Sequence, residues 1–142
     1  MTRDALPRLV LISCLATLLL VLAACRPGGD GSAGSNAGSA SAAASGLAVT
    51  IEVDGATTGP AAVTVGVRTG GEPETGATVK VVGNMTHAGM APVLADAVEV
   101  EPGVYVAGGF AFSMAGDWIV DAEVTTEDGR EASAEAFVNV AR

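Results

Sequence analysis

Cysteine is nearly absent from this 142-residue chain: its two copies, Cys14 and Cys25, both fall within the first 25 positions. A disulfide, a thiolate metal site or a catalytic thiol therefore cannot be built from the residues that follow. Histidine occurs once, as His87. Basic residues are also scarce, with 7 Lys and Arg against 16 Asp and Glu. That balance disfavours nucleic acid and anionic lipid as partners of the folded part, and its plainest meaning is solubility. Aromatic residues are few, one Trp, one Tyr and three Phe, so a core must be made largely of Val and Ala. The Gly pairs 28-29 and 108-109 lack the following helix and Lys of a phosphate-binding loop.

What is present begins with a leader. Arg3 and Arg8 precede an apolar run over residues 9–24, interrupted only by Ser13, Cys14 and Thr17. Its 16 residues fall short of the roughly 20 that a spanning helix needs, and no basic stop-transfer cluster follows. This is the pattern of a cleaved signal peptide, residues 1–24. The run ends Leu22-Ala23-Ala24-Cys25, which resembles the bacterial lipobox, where small residues admit the peptidase and the Cys thiol accepts a diacylglycerol. The expectation is a lipoprotein anchored through Cys25 to the cell membrane or outer membrane, facing the extracytoplasmic side. Cleavage leaves five basic groups against fifteen acids, a net charge of −10.

Residues 26–46 are almost entirely Gly, Ser and Ala. They lack apolar periodicity and cannot offset the entropy of ordering, so residues 25–46 read as the lipidated Cys and a flexible linker. From Leu47 the pattern changes to alternation of period two. Leu47, Val49, Ile51 and Val53 form one apolar row; Val63, Val65 and Val67 form a second; Ala77, Val79 and Val81 form a third. Further strands are expected over 93–100, 104–112, 118–124 and 132–140, with Gly108-Gly109 bending the second of these. Gly, Pro and Asp clusters separate them. About seven short strands at this spacing predict an all-β, immunoglobulin-like antiparallel sandwich over residues 47–142. Trp118, Tyr105, Phe110, Phe112 and Phe137 are expected to fill its core.

Chemistry concentrates in Gly83-Asn84-Met85-Thr86-His87-Ala88-Gly89-Met90, which holds the only His and two of the three Met beyond the leader. The third, Met114, lies in another connection between strands. If the strand before them continued through His87, Met85 and His87 would share a face, with Met90 returning across Gly89. Two thioethers and an imidazole suit Cu(I), whereas zinc prefers thiolates, carboxylates or more imidazoles. The alternative is that the Met side chains fill gaps in a core short of large residues. Ser113 has no neighbouring base in sequence, and Glu72, Glu74, Glu99, Glu101, Asp117, Glu127 and Asp128 fall where solvated turns are expected. No enzymatic activity is expected.

Three phrases together resemble the YtkA-like domain family, which also supplies the extracytoplasmic part of FixH-type proteins. They are Gly71-Glu72-Pro73-Glu74-Thr75-Gly76-Ala77-Thr78-Val79, then Met85-Thr86-His87 with Gly89-Met90, then Pro102-Gly103-Val104-Tyr105 leading to Phe112-Ser113-Met114-Ala115-Gly116-Asp117-Trp118. Ala115 stands where the family usually has Pro. The resemblance implies an immunoglobulin-like sandwich outside the cytoplasm, associated with copper handling or oxidase assembly. It implies Met85, His87, Met90 and Met114 as the metal-side residues and copper as the cofactor. The alternative is a metal-free structural module whose partner is another envelope protein.

Overall fold

The computed structural model describes residues 38–142 except position 88. The expected signal peptide, Cys25 and the linker up to residue 37 lie outside the described residues. Eleven strands follow in order: β1 (Ser39–Ala44), β2 (Leu47–Asp54), β3 (Gly59–Pro60), β4 (Ala62–Thr69), β5 (Glu72–Pro73), β6 (Thr78–Met85), β7 (Val93–Glu101), β8 (Val104–Ala107), β9 (Ala111–Phe112), β10 (Gly116–Thr125) and β11 (Glu131–Val140). No helix occurs among the described residues.

The fold is an all-β antiparallel sandwich. Hydrogen bonding runs β1-β2-β4-β8-β7-β6-β10-β11, with β5 beside β4 and a separate small pair β3-β9. β7 joins the two layers. Its first half pairs with β6, its second half with β8, and Ala97 pairs on both sides. A register shift between Glu99 and Glu101 interrupts its pairing with β8. The far strand β11 packs against β1 and β2 without hydrogen-bonding to them, which closes the layers over the core.

Alternation explains the core directly. Leu47, Val49, Ile51 and Val53 of β2 are buried while the residues between them are exposed; in β4 Val63, Val65 and Val67 are buried and Thr64 and Gly66 between them are half-buried. Trp118, Tyr105, Phe110 and Phe112 are all fully buried. Phe112 meets both Phe110 and Trp118 edge to face, with ring centroids 5.2 and 5.3 Å apart.

Two expectations are corrected. Phe137 does not fill the core; it is 69% exposed. In β11 the inward row is Ala134, Ala136, Val138 and Val140, so period two puts Phe137 outside, opposite Ile119. Strand parity decided its side, whatever its size. The flexible linker does not extend to Gly46, because Ser39–Ala44 pairs residue for residue with Leu47 to Glu52 of β2. Ser45 and Gly46 connect them with φ of 54° and 76°, both left-handed, as a two-residue hairpin turn of primed type requires. β1 holds through backbone pairing along the edge of β2, with Ala40 and Ala42 against the core, and so carries almost no hydrophobic signal.

Candidate functional site

The strand that carries Met85 lies beside the segment that carries Met114. β6 and β10 pair so that Met85 is opposite Trp118 and Asn84 opposite Ile119. The pairing continues one residue further, where the Thr86 N–H donates to the Asp117 carbonyl at 2.9 Å. The methyl group of Met85 packs on Gly116, close enough that a Cβ there would lie 2.6 Å from it. Gly116 also has a φ of 137°, a conformation that side chains disfavour. The Trp118 indole N–H donates to the Met114 carbonyl at 3.1 Å, which fixes the connection leading into β10.

Met85 is half-buried against the core, whereas His87, Met90 and Met114 are exposed, Met90 by 42% and Met114 by 46%. β6 ends at Met85 and His87 lies in the bend beyond it. The condition under which Met85 and His87 would share one strand face is therefore not met. What the fold does bring together is the connection after β6 and the connection before β10, at one end of the sandwich. Gly116 and Asp117 hold those segments in place. Neither stood out as a site residue in the sequence, because the pairing that gives them this role spans some thirty residues of chain.

The donor types at this end are three thioethers and one imidazole. Among the described residues no three His, Cys, Asp or Glu side chains gather as a metal-binding group. A carboxylate-rich or zinc-type centre thus has no basis in those residues, and the donors at hand are in kind those that suit Cu(I).

The opposite end is built for rigidity. The Tyr105 hydroxyl donates to the Glu74 carbonyl at 2.9 Å and accepts from the Ala77 N–H at 3.0 Å; burial pushes its pKa up. Glu99 accepts from the Gly76 and Gly103 N–H groups, both at 3.0 Å, which hold its carboxyl below the usual range. Arg130 donates to Thr69 at 3.0 Å and pairs with Glu74 at 3.3 Å and Asp128 at 2.7 Å. Of the acids named above, Glu74, Glu99 and Asp128 tie chain segments together through hydrogen bonds, and Asp128 does so from an exposed turn.

The family model for YtkA-like domains matches residues 41–123, beginning inside β1 and ending within β10. No curated protein and no solved structure matches the chain. The match covers more than half of the sequence and agrees with the sandwich; the chain belongs to the YtkA-like family.

Proposed function

We propose that this protein is a membrane-tethered extracytoplasmic lipoprotein, anchored through Cys25, whose YtkA-like domain binds or delivers copper(I) and catalyses no reaction. The observation that supports the reading is that the connection after β6, which holds His87 and Met90 beyond Met85, adjoins the connection before β10, which holds Met114. Soft thioethers select Cu(I), and an exposed imidazole and two exposed thioethers are accessible to an exchange partner. Met85 serves first as a packing residue, so His87, Met90 and Met114 carry most of the binding in this reading.

Titration of the mature chain with Cu(I) against a competing chelator tests it. His87→Ala and Met90→Leu should each weaken binding at least about tenfold, the equivalent of roughly 1.4 kcal/mol. Equal affinity in wild type and variants would end the copper assignment. The anchor has a separate test: Cys25→Ala should abolish acylation and release the protein from membranes.

A second reading, a metal-free module that docks on another envelope protein, draws support from β7. Its outward residues Leu94 and Val98 are 70% and 68% exposed, and they stand opposite the outward Val82 and Val106. An apolar stripe on a sheet face is a common docking surface. If this face is the working one, Leu94→Asp with Val98→Asp disables the protein in cells while copper binding is unchanged.

A further inference from the structure

β1 reverses which end of the domain is attached to the membrane. A linker running to Gly46 would deliver the chain to the start of β2, beside the turns that follow β4 and β10. Leu47 there pairs with Thr69, and Ala44 borders the same surface depression as Thr125 and Glu131. The Met and His residues are at the other end. Because β1 runs antiparallel to β2 along its length, the chain instead arrives at Gly38. The Gly38 carbonyl accepts from Val53 N–H at 2.9 Å, near the finish of β2. A Cβ on Gly38 would lie 2.7 Å from Val138 Cγ2. Val138 is paired with Trp118, and Trp118 with Met85. The attachment point and the thioether-bearing connections therefore share one end.

From this placement we infer that the Met/His end of the sandwich faces the bilayer. The inference rests on the membrane-tether part of the proposed function. Gly38 is thirteen residues on from Cys25, and that length of chain spans at most about 45 Å. The opposite end lies farther out by the length of β2, about 26 Å for its 8 residues.

Energy transfer to the membrane tests the orientation. The lipidated full chain, processed in a bacterial host, is reconstituted in vesicles containing an acceptor-labelled lipid. A donor dye sits on one introduced thiol, either Thr58→Cys beside the Met/His end or Glu127→Cys in the turn between β10 and β11. Transfer from position 58 should exceed transfer from position 127 by about twofold, given a separation near one strand length. Equal transfer, or more from position 127, overturns the inference. A Cys25→Ala arm keeps the two readings apart. If that variant stays on membranes, the acyl anchor is wrong, yet any attachment preceding Gly38 arrives at the same end and the comparison of 58 with 127 still decides the orientation.

Discussion

Trp118 joins both halves of the candidate site through a single residue. Its ring packs edge to face on Phe112, its backbone pairs with Met85, and its indole N–H holds the Met114 carbonyl. Trp118→Phe keeps most of the apolar surface and removes the donor, so we expect a loss of about 1–2 kcal/mol in chemical denaturation. The carboxylates make opposite predictions for pH. Burial, then the Glu135 charge across the strand pair, raises the pKa of Asp121 above its ordinary value. Between the ordinary and the raised value the folded chain holds that proton more tightly than the unfolded one, so this contribution falls as pH rises through the window. Glu99 is lowered by its two N–H partners, so its stabilisation is present above the ordinary Glu value and is lost as pH falls through the lowered one. Denaturation across about pH 3 to 7 should show Glu135→Gln more stable than wild type at the neutral end. In the same series Glu99→Gln should be less stable at the neutral end and equal to wild type once both forms are protonated.

Among the elements, β1 depends most on a turn and least on side chains. Its six residues are Ser and Ala, and its hairpin needs left-handed backbone at Ser45 and Gly46. Gly46→Val should cost about 1–2 kcal/mol and speed amide exchange in 39–44 and along the adjoining edge of β2, while β10 and β11 stay protected. The same strand shows what was legible in the sequence. In β2, β4 and β6 the apolar rows that alternate in the sequence are the inward faces, whereas in β11 the inward row is Ala134, Ala136, Val138 and Val140 and the large Phe137 is outside. β1 looks like linker in the sequence because small residues give a paired strand and an unpaired coil the same composition. For Phe137, ring size suggests the core, but the parity of its own strand decides its side. The expected strand over 104–112 is divided where Gly108-Gly109 interrupts it, giving β8 and the short β9. For the site, the residue types were legible and the neighbourhood was not. Met85 meets Gly116, and Thr86 the Asp117 carbonyl, only through the register of two strands about thirty residues apart, which no local pattern encodes.

For the whole molecule, the two ends divide the work. Tyr105, Glu99 and Arg130 bind the turns at one end into a network of hydrogen bonds, and the other end carries the exposed Met and His side chains together with the arrival of the chain at Gly38. In the proposed reading the hydrogen-bonded turns brace one end while the soft donors at the other end hold the metal. The measurement that tests this most directly is X-ray absorption at the copper edge on the mature chain loaded with one equivalent of Cu(I). The account predicts sulfur scatterers together with a single imidazole nitrogen, the nitrogen disappearing in His87→Ala and a sulfur in Met90→Leu. A copper shell made only of light scatterers, or a spectrum that neither substitution changes, would contradict it.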